Sequence, residues 1–300
     1  MTTVLKPNYS LSTRFWAYLQ LMRPANIVTA WADILTGFAA SGAELGVPLA
    51  WLILATTGLY GGGVVFNDVF DAELDAIERP ERPIPTGKAS RFGATSLGIV
   101  LLIIGVVAAA QVSLLSAEVA VFVAMGALIY DAWNKHNALL SPINMGLCRG
   151  GNLLLGVSAT SAMVTERWFL ALIPIFYIAA VTAISRGEVH GGKSSTGKLA
   201  LLLLAIALSG VLTLGLLPNY FLFAALPFLA LLMARVFPPF IAATTNPNAD
   251  IIRNAVKAGV LSLIILDASI AAGFAGILYG LLVLALLFVS ISLAKIFAVT

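Results

Sequence analysis

Asp68, Asp71 and Asp75 stand at i, i+3 and i+7 in the stretch Phe66-Asn67-Asp68-Val69-Phe70-Asp71-Ala72-Glu73-Leu74-Asp75. On a helix of about 3.6 residues per turn this spacing puts three carboxylates on one face, with Asn67 beside them. Like charges so placed repel one another, and at a membrane boundary water screens them less than in bulk. A divalent cation among them relieves the conflict. Magnesium suits the donors, because it takes oxygen ligands and is commonly held by one or two carboxylates together with substrate phosphates. The pattern therefore calls for a phosphate-bearing ligand.

The chain continues Arg79-Pro80-Glu81-Arg82-Pro83-Ile84-Pro85-Thr86-Gly87-Lys88. Arg79 and Arg82 offer planar forks that grip phosphate in pairs of hydrogen bonds, and Lys88 offers a point charge. Three prolines stiffen the loop and lower the entropy lost in holding it over the site.

The elements that carry these residues are membrane helices. Of 300 residues 60% are hydrophobic and only 10% charged, against roughly 25% charged in soluble domains. Mean hydropathy is +0.99, too high for a water-facing exterior. Apolar runs at 27–40, 49–69, 92–112, 115–133, 142–163, 168–185, 198–217, 220–237, 255–273 and 277–297 approach the ~20 helical residues that cross a bilayer core. The runs are continuous, where a membrane barrel shows alternating segments of about ten residues. An all-α polytopic bundle of nine or ten transmembrane helices follows. The runs make ten candidates, of which the first is short and can extend back across Pro24, and nine is possible because the last two are split only by Gly273-Phe274-Ala275-Gly276. The whole chain, 1–300, reads as one membrane domain.

Lys and Arg crowd the loops at one end of the predicted bundle. Counting Lys6, Lys135 and Lys295 among them, 15 of the 17 basic residues lie there, with Arg167 opposite and Arg149 inside a span. Cytoplasmic loops carry this excess, so both termini and the acidic stretch are expected to face the cytoplasm. A net charge of +3 without a basic stripe argues against a nucleic-acid partner. Cys148 is the only cysteine, which excludes an intrachain disulfide and a cysteine zinc site. The N-terminal segment lacks the apolar core of a removable signal.

The pattern Asn67-Asp68-x-x-Asp71-x-x-x-Asp75, followed by Arg82-Pro83-Ile84-Pro85-x-Gly87, resembles the first signature of the UbiA superfamily of intramembrane prenyltransferases. Leu21-Met22-Arg23-Pro24-Ala25-Asn26 is similar to the approach to that family's first span. The resemblance implies a helical bundle, usually of nine spans. Its central cavity opens sideways to lipid and holds a polyprenyl diphosphate, gripped by Mg2+ at the cytoplasmic end. It further implies that Asn67, Asp68, Asp71 and Asp75 carry the first metal, with Asp68 and Asp71 catalytic, and that Arg82 binds diphosphate.

The second half departs from the family. Where a second aspartate motif is usual, this chain reads Ser185-Arg186-Gly187-Glu188-Val189-His190-Gly191-Gly192-Lys193. Glu188 is expected to replace one carboxylate, as a metal ligand and catalytic group, while Arg186 and Lys193 neutralise diphosphate. A hydroxyl acceptor needs a base, and Glu188 or His190 could serve. In Tyr130-Asp131-Ala132-Trp133-Asn134-Lys135-His136 the family's Tyr and Lys-Arg positions are shifted and Arg becomes His, which leaves Lys135 to bind diphosphate. These altered loops resemble a divergent, EboC-like branch.

Asn144, Arg149 and Asn152 fall in the fifth run and are expected to line an acceptor pocket. Helix-to-helix hydrogen bonds, worth about 0.6–2 kcal/mol each, are the other reading of the asparagines. Asp33 and Asp267, also inside runs, are read as packing residues. The reaction implied is loss of diphosphate from a prenyl chain and attack by a small aromatic or hydroxyl-bearing acceptor. A catalytically reduced prenyl-lipid binding or transport protein is the rival, and a lipid phosphatase a third reading.

Overall fold

Pro24 lacks a backbone N–H and fits a helix most readily in its first turn, and the chain breaks immediately before it. The computed structural model describes residues 9–135 and 137–297; Lys6 and His136 lie outside the described residues. Arg23 takes φ 47° and ψ 67° between α1 (Leu11–Leu21) and α2 (Pro24–Ser41). It is the single non-glycine residue with positive φ among the described residues. The first span thus begins at Pro24 and does not extend back through it.

Every further regular element among the described residues is helical. α3 (Val47–Phe70) and the short α4 (Ala72–Glu78) carry the acidic stretch, and α5 (Arg91–Ala110) and α6 (Leu114–Ile129) follow. A π-helical turn, Tyr130–Asn134, ends α6. Next come α7 (Leu140–Val157), α8 (Ser161–Arg167), α9 (Leu172–Ser185) and α10 (Ser194–Thr213). α11 (Leu222–Thr245), α12 (Ala249–Ala275) and α13 (Ile277–Ala294) complete the bundle.

Among the described residues eight stretches are long and apolar enough to cross a membrane: Val47–Phe70, Arg91–Ala110, Leu114–Asn134, Ser161–Ser185, Ser194–Leu216, Leu222–Thr245, Ala249–Ala275 and Ile277–Ala294. The last two are separate helices, divided at Gly276 with φ 86° and packed back along each other, which removes the fused alternative. α2 and α7, of 18 residues each, bury nearly their whole length. They carry Asp33, Arg149 and several asparagines, polar content that a central helix tolerates because its neighbours, not lipid, surround it.

Close approach at glycine sets α2 against α7. A Cβ on Gly37 would lie 2.1 Å from the Leu153 carbonyl oxygen, and one on Gly156 would lie 2.5 Å from that of Ile34. Without side chains at these points the two backbones meet, as small residues allow between membrane helices. The exterior is the reverse of a soluble protein's. On α5, Phe92, Ile99, Ile103 and Val107 project outward, as do Leu278 and Phe288 on α13, while Asp33, Arg149, Asn152 and Asp267 are buried.

Candidate active site

α3 ends at Phe70, and Asp71, with φ −85° and ψ 0° still in the right-handed helical region, links it to α4. Backbone bonds from Asp71 N–H to Asn67 O (3.0 Å) and from Asp75 N–H to Asp71 O (2.8 Å) carry the helical turn through the junction. Asp68 and Asp75 share a face, for Nη1 of Arg82 donates to Oδ1 of Asp68 at 3.2 Å and to Oδ2 of Asp75 at 2.7 Å. Asp71 meets Nζ of Lys135, on the wall beyond α6.

The mouth is closed by basic groups from three segments. Arg23 Nη2 reaches Asp68 Oδ1 at 2.7 Å. Its left-handed backbone costs about 1–3 kcal/mol, a strain that persists where surrounding contacts over-determine it. The Arg82 loop is folded back over the acids by its own bonds: Ala89 N–H to Pro83 O (3.0 Å), Thr86 Oγ1 to Arg82 O (3.0 Å) and Tyr9 OH to Thr86 O (3.1 Å). Asp75 is the most enclosed acid of α4, and burial raises its pKa against the pull of Arg82, with Asp68 and Asp71 pushing the same way as burial. The three motif aspartates thus feel one another's charge.

On the opposite wall Asn67 Nδ2 donates to Asp131 Oδ1 at 2.8 Å. Asp131 sits on the π-helical turn together with Lys135. The spacing of 131 and 135 was visible in the sequence, but nothing in it pointed Asp131 at Asn67. Glu188, in the loop after α9, is half-buried with one oxygen lacking a hydrogen-bond partner. Burial raises its pKa, and the charges of Arg79, Arg253 and Arg23 pull the other way. Arg79 and Lys88 form no ion pair among the described residues. Arg186 lines a cavity of about 280 Å³ with Tyr130, Lys135, Ser141, Thr182 and Ser185. Lys193 lines a neighbouring hollow beyond Arg186, and His190 is exposed, apart from the acids.

The fifth-run residues divide. Asn144 faces α6, accepting from Cys148 Sγ at 3.5 Å. Arg149 and Asn152 lie deeper, with Asp33, which is about 15 Å along α2 from Arg23. Arg149 Nε pairs with Asp33 Oδ2 at 2.7 Å, and Asn152 Nδ2 donates to the same oxygen at 2.8 Å. Thr56 Oγ1 donates to Asn152 Oδ1 at 2.7 Å, the Arg149 guanidinium stands 5.7 Å over the Tyr60 ring, and Thr36 Oγ1 donates to Asp267 O at 3.0 Å. Asp33, expected as a packing residue, holds α2, α3 and α7 together through this network, while Asp267 ties α12 to α2 through its backbone carbonyl.

Asn67, Asp68, Asp71, Asp75, Asp131 and Glu188 offer oxygen donors, the kind a hard divalent cation takes. Among the described residues no three carboxylate, histidine or cysteine side chains gather round one point, and Arg23, Arg82 and Lys135 pair with the acids. The donors fit such an ion in chemistry, and the arginines and lysine fit the phosphates that accompany it.

Comparison with known proteins points the same way. Residues 25–249 match the profile of the UbiA prenyltransferase family. The digeranylgeranylglyceryl phosphate synthase of Methanothrix thermoacetophila is 33% identical over 186 residues, which span 61% of this chain and 67% of that protein. The synthase of the same name from Saccharolobus solfataricus is 31% identical over 180 residues, 56% of this chain and 60% of its own length. The chain thus aligns with three-fifths to two-thirds of these relatives. The fold matches a UbiA homolog from Aeropyrum pernix K1 with TM-score 0.69 at 16% identity, over 81% of this chain and 96% of that one. It also matches a UbiA homolog from Archaeoglobus fulgidus bound to GPP and Mg2+, with TM-score 0.65 at 17% identity, over 90% and 99%.

Proposed function

Because the chain belongs to the UbiA prenyltransferase family, we propose that it moves a prenyl group from a prenyl diphosphate to a small acceptor within the membrane. One observation carries the reading: Asp68, Asp71 and Asp75 meet Arg23, Arg82 and Lys135 at one mouth of an apolar bundle. Such a mouth holds a metal-bound diphosphate, and the greasy interior below it holds an isoprenoid tail.

Asn67, Asp68, Asp71 and Asp75 would hold Mg2+, with Glu188 at the rim. When bound, the ion supplies Lewis acidity and a template for the diphosphate. The chain's own cations do the rest. Negative charge grows on diphosphate as the C–O bond breaks and its electron pair departs with the leaving group. Arg23, Arg82, Arg79 and Lys135 stand where that charge develops and stabilise it without rearranging solvent. Lys88, Arg186 and Lys193 add to the field around the mouth. Apolar walls keep water from the electrophilic carbon, which then bonds to the acceptor.

The curated relatives are named for a glyceryl phosphate carrying two geranylgeranyl groups, which favours a hydroxyl acceptor over an aromatic ring. The new bond is then C–O, and the hydroxyl proton passes to a carboxylate. Glu188 suits that role, being half-buried with a raised pKa; exposed His190 is the less suited base. Asn144, beside Gly126 of α6, would line the acceptor pocket. Arg149 and Asn152 act on it through the helices they tie. α2 and α7 cross the membrane with the eight other spans, giving ten in one domain. The basic loops put the mouth on the cytoplasmic side.

The test is Mg2+-dependent release of diphosphate by the purified chain, offered a panel of prenyl diphosphates with glyceryl phosphates as acceptors. Prenylated product that is lost in Asp68→Ala and Asp71→Ala supports the transferase. Metal-dependent binding without turnover would make the chain a prenyl-lipid carrier, and release without any acceptor would make it a phosphatase.

A further inference from the structure

We propose that Asp131 belongs to the metal-holding set, contributed by the wall opposite the acidic stretch; the inference rests on the metal-dependent reading above. Asn67, Asp68, Asp71 and Asp75 all come from one continuous piece of chain at the end of α3 and the start of α4. A magnesium ion prefers near-octahedral oxygen coordination, and donors along one helix edge approach it from one side only. A second wall must supply the rest or leave it to water and phosphate.

Asp131 is the carboxylate of that wall in direct contact with the motif. Its Oδ1 accepts from Asn67 Nδ2 at 2.8 Å, and four residues on, Lys135 meets Asp71, so the end of α6 touches the acidic stretch twice. An ionised carboxylate only accepts hydrogen bonds. Facing one, the Asn67 amide must present its nitrogen, which directs its carbonyl oxygen elsewhere. That oxygen is the atom a hard cation takes. The turn bearing Asp131 is π-helical, with Lys135 N–H bonded to Tyr130 O at 2.9 Å; such widened turns recur at functional sites. Asp131 is therefore a carboxylate that orients Asn67 and stands beside Asp71, in a position to share the ion's charge.

The competing account is mechanical: Asp131 merely ties α6 to α3 through one hydrogen bond. Asp131→Asn separates the two, because it keeps size and can still bond Asn67 in either amide orientation, yet loses the charge. The experiment titrates the full chain in detergent with Mn2+ alone and reads the free ion by electron paramagnetic resonance. Loss of a group that supports a metal site costs about tenfold to a hundredfold in affinity, and D131N should weaken Mn2+ by that factor, with melting in the absence of metal unchanged. Asp131→Glu, which restores the charge, should recover most of it. D131N binding like the parent overturns the inference and leaves the proposed reaction intact. A parent chain that binds no Mn2+ instead overturns the metal-dependent reading. If D131N does not stay monodisperse, Asp131→Ser, which removes the charge in a smaller volume, is read in the same way.

Discussion

Arg82 donates from Nη1 to Oδ2 of Asp75 at 2.7 Å, although the chain between them leaves a helix and turns back on itself. The same nitrogen touches Asp68, so one guanidinium holds the two carboxylates that share a face. Arg82→Ala should lower turnover by about a hundredfold or more, the usual cost of removing a prearranged donor from developing charge. Arg82→Lys should recover little, because an ammonium lacks the planar fork that grips diphosphate in paired hydrogen bonds. Steady-state kinetics on a prenyl diphosphate, with melting as a control, check both.

Asp33 and Arg149 form an ion pair with both side chains buried in the bundle. Removing one partner of such a pair strands the other and costs about 3–5 kcal/mol. Asp33→Ala should therefore melt far below the parent in detergent. The double variant Asp33→Leu with Arg149→Met should melt above either single variant, which a double-mutant cycle would measure.

Gly37 and Gly156 allow α2 and α7 to touch. A methyl at Gly37 would fall 2.1 Å from a backbone oxygen, so the helices must part. Gly37→Ala should cost about 1–3 kcal/mol, as overpacking does, and Gly37→Leu should cost more. Gly42→Ala makes a poor control, because its φ of 67° strains any side chain; exposed Ser195→Ala is the better one.

Burial raises the Glu188 carboxyl above its ordinary value near 4.5. A carboxyl with a raised folded-state pKa binds its proton more tightly in the folded chain. The stability it contributes is full below the unfolded value and is lost as pH rises through the folded one. Glu188→Gln should therefore melt higher than the parent at neutral pH, and the difference should shrink as pH falls toward about 4.5. Thermal melts across that range measure the effect.

The acidic stretch, the Arg-Pro loop and the helical membrane class were legible in the amino-acid order, because composition and short-range spacing follow from neighbours along the chain. What spacing left out was direction. Lys135 meets Asp71 across 64 positions of sequence, a pairing that local spacing does not contain. Arg23 reads as an ordinary loop cation until its left-handed backbone puts it on Asp68. Asp33 meets Arg149 across 116 positions of sequence, Thr36 meets Asp267 across 231, and Asn67 meets Asp131 across 64. Those partnerships depend on which helices lie side by side, and that order is decided by close contacts such as Gly37 on α7. Chemistry that sits on one stretch of chain can be read from the stretch, whereas chemistry shared between helices exists only once the bundle has chosen its neighbours.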